Sequence, residues 1–349
     1  MRRVSRIAVA SVATAALAVT VSACGSSSSS TSAGGGDKNQ GLALAYDVGG
    51  KGDQSFNDAA TAGLDQADKE FGYKSTAVEP QDGESDADKV QRLETLAKQG
   101  YNPVIGVGFA YAPAVKAAAA KFPKTTFGIV DDNQIQASNV TDLVFHEEQA
   151  SYLAGVAAAK TTKTNTVGFI GGVDVPLIHK FEAGFKQGVA DTKKGVTVKS
   201  QYLTQTAQEG GFSSPDKGEN AANGQIDAGA DVVYAAAGLS GQGVIKAASE
   251  HKIWAIGVDS DQYKQDALAK YKDSILTSAM KDVSGAVFNL AKSVKDGKPQ
   301  TGEVRASLAT GGVSLSDSNP VFKNNASLQA AIKKAEEGIK SGSITVKDS

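Results

Sequence analysis

The sequence predicts an α/β protein of two similar lobes, each a parallel sheet covered by helices on both faces. Three observations predict it. From residue 41 onward, short apolar runs alternate with longer segments of helical periodicity, the βαβα pattern that packs into parallel sheets. The pattern runs twice, and 349 residues suit about two domains of ~150 residues each. Glycine is frequent, with 38 residues against 8 prolines, a balance that fits tight loops between packed elements rather than disorder.

The elements follow in order. Residues 42–48, LALAYDV, form an apolar run that reads as a strand, and 56–71 as an amphipathic helix. Strands at 103–107 and 126–130 flank an alanine-rich helix at 112–121. The second series has a strand at 165–170, a helix at 177–191, a strand at 196–203 and a helix at 217–228. Strands at 231–236 and 253–258 flank a helix at 243–251. Residues 274–279 and a helix starting near Lys281 are expected to return to the first lobe. The tail, 305–315 and a helix at 326–340, is expected on the second. The expected division is therefore 41–146 plus 258–298 for the first lobe, and 147–257 plus 299–349 for the second.

Ahead of this body lies an address. Arg2, Arg3 and Arg6 precede an apolar stretch at 7–21, too short to span a bilayer, which takes ~20 residues. Residues 1–23 therefore read as a signal peptide. Val21-Ser22-Ala23-Cys24-Gly25 resembles the bacterial lipobox, whose cysteine is acylated and becomes the mature N-terminus, and Cys24 is the single cysteine of the chain. Two acyl chains give stable anchoring where one does not. The span 24–40, with its tract GSSSSSTSAGGG, reads as the acylated cysteine and a flexible tether. The expected location is the extracytoplasmic face of a cell membrane, in a Gram-positive envelope.

Composition excludes several classes. With 36 Lys+Arg against 38 Asp+Glu, there is no electrostatic reason to expect nucleic acid. One cysteine excludes an intrachain disulfide framework and a Cys-rich zinc site. No P-loop motif occurs, GVGFAY at 106–111 lacks the third glycine of a dinucleotide fingerprint, and Gly238-Leu239-Ser240-Gly241-Gln242 lacks the last glycine of a nucleophile elbow. His146, His179 and His251 are scattered without metal-ligand spacing.

Ligands of open α/β sheets bind outside the carboxyl ends of the strands, so the loops after strands hold the candidates. Asp47, Asp131, Asp132 and Asp259 each follow a strand directly. Carboxylates there accept from hydroxyl and N–H donors and repel phosphate; each alone also reads as a helix cap or turn residue. Beyond the signal only Arg92 and Arg305 remain as arginines, neither after a strand, which disfavours phosphorylated ligands. Phe56 and Phe212 sit among polar or small residues, in QSFND and GGFSS. They read either as helix-start staples or as two aromatic faces closing on a flat ligand. Trp254, inside a strand, reads as core.

The string LALAYDVGG from Leu42, with Ser55-Phe56-Asn57 downstream, is similar to the basic membrane protein family of substrate-binding lipoproteins, which includes purine nucleoside receptors. Further matching strings are GVGF (106–109), FGIVD (127–131), EEQASYLAGVAAA (147–159), GFIGG and KFEAGF (168–172, 180–185), FSSPDKG (212–218), VVYAAAG (232–238), GQGVIKAA (241–248) and IGVDSDQ (256–262). The resemblance spans about 41–300 and implies the type I periplasmic binding protein fold, with crossing strands joining two Rossmann-like lobes. It implies that Phe56 and Phe212 sandwich a nucleobase and that Asp47 and Asp131 serve the ligand's base or nearby polar atoms, with Asn57 also among the ligand-binding residues. Asp259 would hold ribose hydroxyls, Lys281 would face the sugar as the lone cation, and Gly238 would allow close backbone approach. Leu239-Ser240 and His146 depart from the family's usual residues. The implied activity is capture of a nucleoside by lobe closure, without covalent chemistry or cofactor, by a monomer that serves an ABC permease and its ATPase. Rival readings are the same fold binding a sugar or other polar metabolite, a nucleoside-processing enzyme, and a surface sensor.

Overall fold

The computed structural model describes residues 40–81 and 83–349. The signal segment, Cys24 and the Ser/Gly tract lie outside the described residues. The first series lays down β1 (Gln40–Ala45), α1 (Phe56–Phe71), β2 (Lys74–Val78), α2 (Asp86–Lys98), β3 (Val104–Gly106), α3 (Ala112–Lys121), β4 (Phe127–Val130) and β5 (Val140–Phe145). The second lays down α4 (Glu147–Thr161), β6 (Thr166–Val173), α5 (Pro176–Thr192), β7 (Thr197–Thr204), α6 (Pro215–Asp227), β8 (Val232–Ala236), α7 (Gly241–Glu250), β9 (Trp254–Asp259) and β10 (Ile275–Lys281). The chain ends with α8 (Val283–Lys295), β11 (Gly302–Ala306), β12 (Val313–Leu315), α9 (Pro320–Lys323) and α10 (Ala326–Lys340).

Two six-stranded sheets result, ordered β11-β5-β4-β3-β1-β2 and β12-β10-β9-β8-β6-β7. Counted from its own first strand, each lobe follows the doubly wound order 2-1-3-4-5 and adds a sixth strand beside the fifth. In that order the strand sequence reverses between the first and third strands, which opens a crevice at their carboxyl ends. The apolar runs explain why the strands are central: β3, β4, β5 and β8 are buried at every residue, as sheets covered on both faces require.

The sheet pairings depart from the expected division twice. Residues 275–281 do not return to the first sheet; β10 pairs in parallel with β9. Gln262 fastens it there, its Oε1 accepting from Val258 N at 3.1 Å while its own N–H donates to Ser278 Oγ at 3.2 Å. Residues 302–306 do not join the second lobe; β11 pairs with β5 in parallel register from Gly302 opposite Thr141 to Ala306 opposite Phe145. The Thr141 hydroxyl donates to Gln300 O at 2.6 Å and sets that register. A strand's own residues encode which face is buried, not which sheet it joins: β10 stays with the strand before it, while β11 joins one about 160 residues earlier.

Helix α8 does pack on the first lobe: Leu290 fills the space above Gly128, and Ser284 and Val287 lie against Gly63. The chain therefore crosses between sheets after β5, after β10 and after β11. Two backbone bonds bind the crossings side by side, His146 N to Ala306 O and Asp282 N to Gly312 O, both at 2.9 Å. Helix α4 is the spine of the second lobe. Its fit against α5 depends on Gly184 and Gly188, where any side chain would collide with the carbonyls of Glu148 and Tyr152.

Candidate ligand-binding site

A cavity lies where the carboxyl ends of both sheets face each other, with about 520 Å³ of empty space when its open mouth is counted. Asp47, Phe56, Asn57, Asp131, Phe212, Gly238, Asp259 and Lys281 all line it. Asp132 does not line it.

The first lobe contributes the end of β1 and the start of α1. Asp47 is 9% exposed, and its backbone N–H donates to Asn57 Oδ1 at 3.0 Å. Its Oδ1 accepts from Val48 N at 2.8 Å. Gly108 must lack a side chain, because a Cβ there would strike Asp47 Oδ2. Burial pushes the Asp47 carboxyl up to about 7, against the pull of the Val48 N–H and the charge of Lys89. Phe56 is the first residue of α1. The residue before it, Ser55, occupies the cap position but makes no capping bond with its side chain. Asp53 caps instead, accepting from the backbone N–H groups of Ser55, Asn57 and Asp58 at 2.8–3.1 Å.

That exchange frees the Ser55 hydroxyl to cross the cleft, where it donates to Asp259 Oδ2 at 2.8 Å. Ser260 Oγ returns a bond to Ser55 O at 2.7 Å. Gln262 Nε2 reaches Gln54 O and Gln242 Nε2 reaches Gly52 O, each at 3.1 Å. The first lobe's 49–55 loop is thus clasped by the second lobe, and the structure is a closed one.

Asp131 follows the fourth strand of the first lobe and Asp259 ends that of the second, and both adopt the left-handed region, with φ of 70° and 62°. This region is uncommon outside glycine, although aspartate tolerates it better than most. Between them stands Lys281, whose Nζ donates to Asp131 Oδ2 at 2.6 Å and lies 3.7 Å from Asp259 Oδ1. The ammonium is also 4.7 Å from the centre of the Phe56 ring and 5.6 Å from that of Phe181, a cation–π cage. Burial would lower Lys281, but the carboxylates of Asp131, Asp259 and Glu147 outweigh it and hold the amine protonated. Burial raises Asp259 despite Lys281 and the Ser55 bond, and pushes Glu147 up to about 7. Two buried oxygens beside this cation, Asp131 Oδ1 and Asp259 Oδ1, and Glu147 Oε2, which lies 3.9 Å from the Lys180 ammonium, have no hydrogen-bond partner among the described residues. Buried acceptors of this kind are costly unless a donor reaches them.

The second lobe supplies the apolar walls. Phe212 lies in the turn before α6, its ring over Gly172, where a Cβ would overlap the phenyl. Gly238, at φ 53°, faces the Phe212 carbonyl, which a Cβ would meet at 3.2 Å. Leu177, Ile178 and Phe181 project from the first turns of α5, and Phe109 from the turn after β3. Sequence reasoning missed Asp53, Phe109, Leu177 and Phe181 as lining residues. Phe109 carried a usable signal, an aromatic directly after a strand in GVGF. Phe181 did not, since its spacing with Leu177, Ile178 and Phe185 reads as an ordinary core stripe.

The histidines sit elsewhere. His146 Nδ1 and Glu148 Oε1 share a 2.6 Å hydrogen bond at the first crossing, His179 is bonded to Asp174 at 2.6 Å, and His251 is the exposed C-cap of α7. Trp254 opens β9 and is only partly buried, less central than expected.

Two lobes of one topology, closed over a cavity of fixed acceptors and aromatic faces, define a solute receptor: a protein built to enclose a small molecule. The chain belongs to the Bmp family, whose model, described as ABC transporter substrate-binding protein PnrA-like, matches residues 42–349. It is a substrate-binding protein of an ABC transporter, in a family of solute-binding proteins rather than enzymes. It is 37% identical to the ABC transporter nucleoside-binding protein BmpA of Lactococcus lactis subsp. cremoris, over 87% of this chain and 88% of that one. It is 34% identical to the CD4+ T-cell-stimulating antigen of Listeria monocytogenes, over 87% of each. Among solved structures, an ABC transporter solute-binding protein from Aeropyrum pernix K1 superposes with a TM-score of 0.78 at 25% identity, covering 89% of this chain and 94% of that one.

Proposed function

We propose that the cavity binds nucleosides, purine nucleosides first, and that the protein delivers them to an ABC permease driven by a separate ATPase. The observation that carries this reading is the pair of orphaned carboxylate oxygens, Asp131 Oδ1 and Asp259 Oδ1, flanking Lys281 within a cavity that also holds Phe56 and Phe212. A vicinal diol supplies donors to those oxygens, and its own oxygens accept from the ammonium. A base supplies the flat face that the two phenyl groups require. A sugar alone would satisfy the carboxylates too and could lay its C–H face on a phenyl ring, but it forgoes the ~1–3 kcal/mol that a base gains by stacking on an aromatic face. The name of the Lactococcus relative supports the same ligand class.

The magnitudes are adequate. A micromolar dissociation constant needs about −8 kcal/mol. Stacking contributes ~1–3 kcal/mol per base, and hydrogen bonds to charged groups ~1.5–3 kcal/mol each. Asp47 and Asn57 would hold the edge of the base, and Asp259 with Lys281 the ribose. The reading includes a monomer tethered to the outer face of the cell membrane through acylated Cys24. Among the described residues no helix is long and apolar enough to cross a membrane. Labelling with a fatty-acid probe should mark the wild type and not Cys24→Ser; equal labelling of both would remove the anchor. Calorimetric titration of protein that has been unfolded and refolded, to strip retained ligand, tests the ligand. Adenosine, guanosine or inosine should bind while ribose and the nucleoside monophosphates do not. Release of free base from inosine would instead indicate an enzyme.

A further inference from the structure

Away from the cleft, a groove opens at the edge of the first lobe's sheet. It lies between the 133–138 segment and the paired strands β5 and β11, and Asn133, Gln136, Ser138, Asp142, Thr301 and Glu303 line it. Asp142 of β5 stands opposite Glu303 of β11 in parallel register, so the two side chains leave the sheet on the same face. Asp142 is 3% exposed. Its carboxyl has neither a hydrogen bond nor an ion pair among the described residues.

The surrounding charges do not compensate it. Burial, then the negative charges of Asp132 and Glu303, push Asp142 up to about 6, which leaves it ionised at pH 7. Arg305 serves Glu303 instead, its Nε donating to Oε1 at 2.7 Å, while Asn133 Nδ2 donates to Oε2 at 3.0 Å. His146 is held by Glu148. A buried carboxylate without a donor is unfavourable. A neutral donor would answer Asp142 and leave its acidic neighbours repelling it; a cation entering from the groove would answer both.

We infer that this groove is a site for a hard cation, calcium before magnesium, held between Asp142 and Glu303. Its walls offer oxygen and neither sulfur nor imidazole, the donor chemistry of such ions. Among the described residues no three His, Cys, Asp or Glu side chains are placed to hold a metal ion. Side-chain oxygens of Asn133, Gln136 and Ser138, with water, would therefore complete the shell. Calcium accepts such an irregular set, whereas magnesium demands a near-ideal octahedron. A dissociation constant on the order of 1 mM is expected, at the weak end of calcium sites. The 132–139 segment directly follows Asp131, so a cation joining it to β11 would also steady the carboxylate that holds Lys281. The inference does not depend on the nucleoside reading.

Thermal melting of chelator-stripped protein without nucleoside tests it, with calcium, magnesium and sodium chlorides compared at equal ionic strength. At about 10 mM, calcium should raise the melting temperature by about 2–4 °C over sodium, and magnesium by less than half as much. Asp142→Asn should melt no lower than the wild type in sodium and should show no calcium shift. Glu303→Gln should keep at most half of the shift, with circular dichroism checking the fold of each variant. Calcium that acts no better than sodium overturns the inference, and so does an equal calcium shift in the wild type and Asp142→Asn. An unchanged shift in Glu303→Gln overturns it as well, and that variant decides the matter if Asp142→Asn fails to fold. Magnesium as effective as calcium would overturn the choice of ion.

Discussion

The two lobes share a strand order yet bring different chemistry to the cleft. After its first strand, lobe one offers Asp47, buried and lining the cavity; after the corresponding strand β6, lobe two has Asp174, which pairs with His179 and Gln205 away from the cavity. At the ends of the fourth strands the lobes agree, with Asp131 and Asp259 in the same rare backbone conformation. At the fifth they diverge again, with His146 and Glu147 just past β5 in one and Lys281 closing β10 in the other. The two aspartates also bond in reciprocal fashion: Asp131 of lobe one to Lys281 of lobe two, Asp259 of lobe two to Ser55 of lobe one. Position at a strand's carboxyl end therefore delivers a residue to the cleft region, while charge placement decides what it does there. One lobe supplies most of the acceptors, the other the cation and most of the apolar wall.

The most direct way to break the symmetry of the aspartate pair is to neutralise each member with its shape kept. Asparagine tolerates the left-handed backbone as aspartate does, so Asp259→Asn isolates charge from strain. It should weaken nucleoside binding about 100-fold, since it removes the charge-assisted bonds to the diol. Asp131→Asn should cost about tenfold, because Lys281 keeps Asp259 and Glu147 as neighbours. Equal losses would mean that the lobes contribute alike. Next in size, Phe212→Ala should weaken binding by about 10- to 30-fold, in line with base stacking, and titration of adenosine against ribose would show the loss confined to the nucleoside.

Protons sharpen the contrast at Asp47. An N–H donor on the ligand needs the ionised carboxylate, and burial holds this carboxyl up to about 7. Affinity should therefore fall as pH drops below 7, by at most about tenfold per unit, and Asp47→Asn should flatten the profile. Folding has the opposite slope. A carboxyl raised in the folded state binds its proton more tightly there than in the unfolded chain, so the destabilisation is complete above the folded pKa and fades as pH falls through it. Asp53, held up to about 6, and Glu147, up to about 7, act in the same direction. The melting temperature of the ligand-free protein should rise by a few degrees between pH 8 and pH 5. A melting temperature that falls over this range would contradict the buried-carboxyl picture. The smallest effect is expected at Gln242, whose bond to Gly52 only clasps the loop: Gln242→Ala should speed ligand release about two- to threefold, read by stopped-flow fluorescence.

Much of this was legible in the sequence, and the reasons for the rest are physical. Alternating runs such as LALAYDV and the stripe of 56–71 showed the two βα series, and of the flagged aspartates and phenylalanines all but Asp132 meet in one cavity. Helix α4 was not read from periodicity because twelve of its fifteen residues are buried, which erases the polar face that marks an amphipathic helix. Edge strand β2 is half exposed and short, so it lacks an apolar run. The sheet membership of β11 depends on Thr141, whose partner Gln300 is 159 residues away, and that of β10 on Gln262, a polar side chain buried between β9 and β10 that no apolar pattern marks. The recruitment of Asp53 as cap, which frees Ser55 for Asp259, is invisible without coordinates, since Ser55 alone looks like the cap.

The central claim is that the closed cavity is a nucleoside site with the sugar at Asp259 and Lys281 and the base between Phe56 and Phe212. The measurement that tests it most directly is the crystal structure of the refolded protein grown with inosine. The account predicts a base between the two rings and ribose hydroxyls within hydrogen-bond distance of Asp259 Oδ1 and Lys281 Nζ. A ligand bound with its base outside the phenyl pair, or a cavity that admits ribose and excludes inosine in parallel titrations, would contradict it.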